Sequence, residues 1–252
     1  KMLLSAVLFD VDGTMAETED LHRRSFNESF KEFNLDWYWD EPIYRELINI
    51  GSGKERIEYY IKRAWPEMLD YKNLSKYIDS IHKVKNEIFE DFIMESEVKM
   101  RPGVMRLINE LKEKEIRIAI VSSTSENNLI TLFEKGLGVD PKLTFDLIAH
   151  GDCTQNKRPS PEIYEWVLER LRLPSQSCIA IEDSLRGVES AKNSNINVLV
   201  TPSIFTRGED FTDAKLVVSD LGEEDRPFEK IKGNDFGKKI VDSQLLESLI
   251  NS

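Results

Sequence analysis

Two aspartates separated by one residue end an apolar run and precede a glycine, in Phe9-Asp10-Val11-Asp12-Gly13-Thr14. Ionised carboxylates this close repel unless a cation or a shared proton neutralises them. Magnesium suits such a pair, because it favours one or two carboxylates together with substrate phosphate and water. A carboxylate beside a divalent cation can attack phosphorus and form an aspartyl-phosphate. The second carboxylate can then act as acid and base for the leaving and entering oxygens. Gly13 permits a sharp turn at this point. Taken alone, the pair reads equally as an Asx turn ending a strand or as part of a calcium loop.

Three further clusters fall after apolar runs. Ser122-Ser123-Thr124-Ser125 offers hydroxyls and free backbone N–H groups that can hold phosphate oxygens. The commoner reading of a serine cluster is helix capping, here with Ser125 as the cap ahead of Glu126. Lys157-Arg158-Pro159-Ser160-Pro161 puts a cation where it could pair with both phosphate and a nucleophilic carboxylate. A basic pair before a helix is also ordinary solvated surface, and Pro161 suits a first helical turn in any case. Glu182-Asp183-Ser184 supplies a second acidic pair, able to complete a metal site, while Ser184 or Asp183 caps the next helix.

The elements that must position these residues follow from the apolar pattern. Leu3–Phe9, Arg117–Val121, Phe145–Ala149, Cys178–Ile181, Asn197–Val200 and Leu216–Val218 are short, rich in Val, Ile, Leu and Ala, and lack polar alternation. They read as buried parallel strands. Helical patterns lie between them, notably Gly103–Glu113, Pro161–Leu171 and Leu185–Asn193. Strands alternating with helices predict a doubly wound α/β sheet. The gap between the first strand and the second is far longer than the roughly 30 residues of a βαβ unit. It holds helical patterns at Glu19–Phe33, Ile43–Ile48, Lys54–Ala64 and Asn73–Phe92. An all-helical insertion over residues 17–95 therefore interrupts a core of residues 1–16 and 96–222. It leaves the sheet from the carboxyl edge, where open α/β sheets bind ligands, so it is placed to act as a lid. Residues 223–252 read as a tail packing on the core or on a partner, ending in an amphipathic stretch, Val241–Ile250.

Composition narrows the function classes. The chain has 252 residues and a net charge of −12, with 40% hydrophobic and 32% charged residues. These values exclude a collagen, a coiled-coil rod and a disordered chain. No apolar run approaches the roughly 20 residues of a membrane span. The negative charge argues against a nucleic-acid binder, whereas an anionic small substrate responds to local charge. Cys153 and Cys178 cannot form a disulfide framework and read as reduced thiols of a cytoplasmic protein.

The four motifs, in the order nucleophile pair, hydroxyl, cation and acidic pair, resemble those of the haloacid-dehalogenase-type phosphotransferases. The helical insertion resembles the small cap of that superfamily. Asp12 at the second acid position fits its phosphotransferases and not its dehalogenases. The run Asp10-Val-Asp-Gly-Thr-Met-Ala-Glu17-Thr-Glu-Asp-Leu-His22-Arg-Arg-Ser-Phe-Asn27 resembles the CbbY-type sugar-phosphate phosphatases. So do Asp36-Trp-Tyr-Trp-Asp40, Gly53-Lys-Glu-Arg-Ile57 and Thr201-Pro-Ser-Ile-Phe-Thr-Arg207. The best known activity of that group is dephosphorylation of xylulose 1,5-bisphosphate, a misfire product that inhibits Rubisco.

The resemblance implies a Rossmann-like core with an inserted helical cap, and Mg2+ as cofactor. Asp10 would be the nucleophile and Asp12 the general acid/base. Asp10, the Asp12 carbonyl and Asp183 would hold the metal, with Glu182 beside it. Ser122, helped by the Ser123 backbone, would bind the transferring phosphoryl group. The family's lysine immediately before Pro-x-Pro is Arg158 here, with Lys157 one position earlier, and either could fill that place. Glu17 would face sugar hydroxyls, and His22 is either a second such contact or a satisfied helix histidine. Arg24, Arg45, Lys54 and Arg56 are candidates for a distal phosphate, and each alone also reads as a solvated helix charge. Gly51-Ser-Gly-Lys54 makes a plausible anion site. Arg207 lies near the sheet edge or tethers the tail. Trp37, Tyr38 and Trp39 read as cap packing, and His82 and His150 as structural.

The implied partner is a small phosphorylated sugar, with no nucleic acid and no membrane, and the chain is expected to be a monomer. The cytoplasm is the expected location, or an organelle where a transit peptide has been removed. A β-phosphoglucomutase-like phosphomutase shares the same motifs. A non-catalytic phosphosugar-binding protein could use the same scaffold.

Overall fold

The computed structural model describes residues 1–252. Strands β1 (Ala6–Phe9), β2 (Arg117–Val121), β3 (Leu147–Ala149), β4 (Cys178–Glu182), β5 (Asn197–Val200), β6 (Leu216–Val218) and β7 (Lys230–Gly233) form one sheet in the order β3-β2-β1-β4-β5-β6-β7. The first six are parallel, and β7 runs antiparallel to β6. Ala6 of β1 faces Arg117 of β2 and Cys178 of β4, so β1 sits in the middle and its carboxyl end opens at the centre of the sheet edge.

Side chains alternate between the faces. Val7, Phe9, Ile120, Ile179 and Ile181 pack with helices α5 (Val104–Glu113) and α10 (Ser243–Ile250). Ala6, Leu8, Val121, Cys178 and Ala180 pack with α8 (Glu162–Leu171) and α9 (Leu185–Asn193) on the other face. The α5 stripe Val104, Leu107, Ile108 and Leu111 is at most 1% exposed. Truncating one such leucine to alanine costs about 2–5 kcal/mol. The expected first strand at Leu3–Phe9 begins only at Ala6, since Leu3 is exposed and meets no neighbouring strand. Likewise Phe145 precedes β3 and packs its ring, tilted, against Phe133 instead of extending the strand.

Between β1 and β2 the chain forms α1 (Glu19–Glu32), α2 (Glu41–Leu47), α3 (Gly53–Ala64) and α4 (Leu74–Glu95), with a 3-10 turn at Pro66–Asp70. These helices enclose their own apolar cluster, built on Phe26, Phe30, Trp37, Trp39, Tyr44, Ile57, Ile61 and Ile81. Trp37 and Trp39 are buried in it, while Tyr38 is exposed. Phe205, from the loop after β5, inserts its ring into the same cluster against Tyr44. Asp40 and Ser52 cap α2 and α3.

Residues 223–252 lie on the core. β7 extends the sheet, and Arg106 of α5 donates to the Leu221, Gly222 and Val241 carbonyls. The β7 pairing is absent from the sequence expectations because Lys-Ile-Lys-Gly is exposed and carries no core signal. No helix is long and apolar enough to cross a membrane.

Candidate active site

Every chemical cluster named from the sequence falls at the carboxyl edge of the sheet. A polar cavity of about 260 Å3 lies there between core and cap, and only 2 of its 28 lining residues are hydrophobic. β1 delivers Asp10, 3% exposed, whose carboxylate accepts from Thr14 Oγ1 at 2.7 Å and from Arg158 at 2.8 Å. Gly13 then turns with φ +84°, and a β-carbon there would lie 2.2 Å from Asp183 Oδ2. Both the backbone and the space at that turn require glycine.

Asp12 points away from Asp10, toward the cap. Its carboxylate accepts hydrogen bonds from Thr18 Oγ1, from Thr124 Oγ1 at 2.7 Å and from His22 Nε2 at 3.0 Å. Lys85 Nζ lies 2.8 Å from His22 Nδ1. An ammonium can only donate, so Nδ1 accepts and Nε2 carries the proton given to Asp12. Burial, then the Lys85 charge, lower the His22 pKa and keep the ring neutral. Burial alone would raise Asp12, but His22 and the Thr18 and Thr124 hydroxyls hold it below the usual carboxylate range. With a neutral imidazole, the three hydrogen bonds carry that stabilisation. Thr18 comes from the start of α1, His22 from α1 itself, Lys85 from α4 and Thr124 from the loop after β2, so cap and core aim this carboxylate together.

Asp10, Glu182 and Asp183 bring carboxylate oxygens within 4.8 Å of one another. Burial pushes all three carboxyls up, Glu182 to about 7, and the charge of Asp10 raises Glu182 and Asp183 further. Arg158 is the one cation hydrogen-bonded into the group, reaching Asp10, Glu182 at 2.7 Å and Ser123 at 3.2 Å. Tyr164 donates to Glu182 Oε1 at 2.5 Å, while Glu182 Oε2 is buried without a partner. An orphaned carboxylate oxygen and three crowded acids are an electrostatic deficit that a small divalent cation would fill. The residues present therefore fit magnesium.

The remaining residues sort by position. Arg158, and not Lys157, reaches the carboxylates. Lys157 also lines the cavity, but its ammonium is taken by the Gly151 and Thr154 carbonyls. Ser122 is 1% exposed and does not line the cavity; its hydroxyl accepts from the Thr124 N–H at 3.0 Å. Ser123, Thr124 and Ser125 form that wall, and Ser125 also caps α6 (Glu126–Thr131). Ser184 caps α9, so capping and site formation coincide there too.

His22 and Lys54 line the cavity, Lys54 while paired with Asp79 at 2.7 Å, and so do Gly51, Ser52, Gly53 and Arg56. Glu17, Arg24 and Arg45 do not. Glu17 accepts from the Ile204 N–H, Arg45 donates to the Ile204 carbonyl at 3.1 Å, and Arg24 is exposed with its guanidinium over Phe92. Arg207 is exposed.

Other residues enter that sequence reasoning did not single out. Arg186 reaches from α9 to the Ile48 and Ile50 carbonyls of the cap and to the Arg158 carbonyl, tying cap to core. Arg101 ties the Asp10 loop, through Gly13, to Thr201, Pro202 and Ser219. Lys85 carried a signal, since it occupies the apolar stripe Ile78, Ile81, Phe89 and Ile93 of α4.

Fold and site together define a capped, doubly wound α/β hydrolase with an acidic centre. The family model of haloacid dehalogenase-like hydrolases matches residues 7–201. The chain belongs to that family and is an enzyme. Protein CbbY of Cereibacter sphaeroides is 39% identical over 88% of this chain and 94% of its own length. The CBBY-like protein of Arabidopsis thaliana is 36% identical over 88% of this chain and 70% of its own. The crystal structure of CbbY from Rhodobacter sphaeroides in complex with phosphate superposes with a TM-score of 0.80 at 38% identity. It covers 88% of this chain and 96% of the other. A CbbY variant from the same organism, in complex with xylulose-(1,5)-bisphosphate, matches equally well.

Proposed function

We propose that this enzyme is a magnesium-dependent sugar-phosphate phosphatase that works through an aspartyl-phosphate, with xylulose 1,5-bisphosphate as substrate. The observation that carries the reading is the division of labour between two aspartates two residues apart. Asp10 sits among acids and Arg158, while Asp12 is turned away and held by three hydrogen-bond donors.

Asp10 attacks phosphorus, forming the Asp10–phosphorus bond as the bond to the sugar oxygen breaks. Arg158 and the backbone N–H of Ser123 hold the phosphoryl oxygens. Asp12 gives a proton to the leaving sugar oxygen, then takes one from the water that opens the aspartyl-phosphate. Its three donors favour the ionised form, which suits the second step. For the first step it needs a proton, and the His22–Lys85 hydrogen-bond chain ends on that carboxylate. Asp10, the Asp12 carbonyl and Asp183, with Glu182 beside them, would hold Mg2+, which supplies neutralising charge for the approach of a dianion. Lys54 and Arg56 of the cap helix α3, with Arg186 of the core helix α9, line the same cavity and give it positive groups suited to a second phosphate.

The similarity to the CbbY proteins supports xylulose 1,5-bisphosphate over a hexose 1-phosphate and favours release of phosphate over its return to the sugar. Phosphate release with magnesium, set against chelator, is the test, using the xylulose compound, ribulose 1,5-bisphosphate and glucose 1-phosphate. Asp10→Asn should abolish turnover with the melting curve intact. Turnover near the parent rate in that variant refutes the mechanism, and conversion of glucose 1-phosphate into an isomeric sugar phosphate refutes the phosphatase.

A further inference from the structure

Arg101 lies where the chain returns from the cap to the core, just after α4. Its side chain is only 10% exposed, yet it forms no close ion pair, since the carboxylate beside it, Glu17, is 4.0 Å away. The guanidinium is directed instead at four backbone carbonyls from three separate loops. It donates to Gly13 after β1, to Thr201 at 2.9 Å and Pro202 at 3.0 Å after β5, and to Ser219 at 2.9 Å after β6. Its backbone N–H donates to the Met15 carbonyl at 2.7 Å. A planar fork of five donors can span acceptors spread in this way, whereas the ammonium of a lysine is a single point.

The first two loops adjoin the acidic centre. The Gly13 N–H donates to the Ala16 carbonyl at 2.8 Å, and in a trans peptide the Asp12 carbonyl then points the opposite way. With the Gly13 carbonyl held by Arg101, the peptides on both sides of that residue are fixed. The Thr201 N–H donates to the Glu182 carbonyl at 2.9 Å, and the Ser203 hydroxyl donates to the Asp183 carboxylate. The loops also meet, because a β-carbon on Gly13 would lie 2.2 Å from Asp183 Oδ2 and 3.0 Å from Ser203 Cβ.

We infer that Arg101 is a positioning residue for the metal centre: it fixes the Asp12 carbonyl through Gly13 and Asp183 through the Thr201–Ser203 turn, and sets their separation by bonding both loops at once. This rests on the magnesium reading above and concerns a residue that does not line the active-site cavity. The sheet alone cannot do this work. β1 and β5 are not neighbours, since β4 runs between them, so no ladder hydrogen bond joins the loops that follow them. Arg101 bridges that gap from outside the sheet. Magnesium tolerates little departure from octahedral geometry, so drift of one loop against the other weakens its binding even when every ligand is still present.

The test is calorimetric titration of magnesium into the substrate-free protein, with melting curves in chelator beside it. The variants are Arg101→Ala, Arg101→Lys and, as control, Arg106→Ala. Arg106 also donates to backbone carbonyls, those of Leu221, Gly222 and Val241, but touches neither the Gly13 loop nor the Thr201–Ser203 turn. All three variants should melt below the parent. Both Arg101 variants should bind magnesium about tenfold or more weakly, the worth of one charge-assisted hydrogen bond, while Arg106→Ala binds it as the parent does. Arg101→Lys keeps the charge and a donor, and it carries the test if the alanine variant does not fold. Parent-like magnesium affinity in the Arg101 variants would overturn the role of Arg101 alone. An equal loss in Arg106→Ala would overturn it too, because the loss would then follow general loosening of the core. A parent that takes up no magnesium would overturn the magnesium reading and the role of Arg101 with it.

Discussion

The buried ammonium of Lys85 allows stability and activity to be driven in opposite directions. Lys85 is 3% exposed, and burial, with Arg56 next in importance, pushes its pKa from 10.5 down to about 7. At about 1.4 kcal/mol for each tenfold in proton affinity, holding it charged costs the fold about 5 kcal/mol at pH 7 or below. Lys85→Met removes that cost with little change in shape. The variant also loses the hydrogen bond to His22, worth about 1 kcal/mol. It loses cation–π contacts over Phe26 and Phe89 as well, at 4.9 and 5.0 Å, worth about 2 kcal/mol when desolvated. The balance is a variant about 2 kcal/mol more stable, melting about 4–8 °C higher.

The pH dependence fixes the sign. An unfolded lysine keeps its proton to near pH 10.5, whereas the folded one sheds it near 7. Wild-type stability therefore gains from this residue as pH rises from 7 toward 10. The advantage of the methionine variant should shrink over the same range. Turnover should fall about tenfold or more, because His22 Nδ1 loses its donor and the tautomer that serves Asp12 is no longer fixed. Melting curves at pH 6.5 and 9, beside phosphate-release rates, check all three parts. A variant that melts below wild type at pH 6.5, or a gap that does not change with pH, would refute the reasoning.

Two further outcomes follow from the same site. Arg186→Ala removes the donor from two cap carbonyls and one core carbonyl. It should raise KM about tenfold and increase the radius of gyration seen by X-ray scattering; an unchanged KM would show that the cap does not depend on this tie. In chelator, the melting temperature should fall as pH rises from 5 to 8, since Asp10, Glu182 and Asp183 have carboxyls raised by burial and must ionise at a cost to the fold. Magnesium at about 100 times its Kd should add about 2.7 kcal/mol and flatten that fall; parallel pH curves with and without the metal would count against the site.

Much of the site was legible because its motifs are local. Each acidic or hydroxyl cluster directly follows an apolar strand, and parallel strands all end on one edge. Ordered short-range features of this kind survive any uncertainty about how the chain folds between them. Local patterning also found the strands and helices of the core, because Ala6–Phe9 and Cys178–Glu182 are buried on both faces and need no partner to be recognised. β7 lacked such a signal, as its four residues are exposed and only its pairing with β6 makes it a strand.

The distal contacts were not legible in the same way. Glu17, Arg24, Arg45 and Lys54 look alike in the sequence, as charges on or near cap helices. Only the packing of cap on core leaves Lys54 in the cavity wall, draws Glu17 and Arg45 to Ile204 and leaves Arg24 outside.

The sequence by itself determined the fold class, the order of the four motifs and the hydrolase family, since these depend on residue type and short spacing. Tertiary structure decided which cation serves the acids, how Asp12 is aimed and which cap charges face the cavity. Those depend on distances between segments far apart in the chain, set by how cap and core pack together and not by any local pattern.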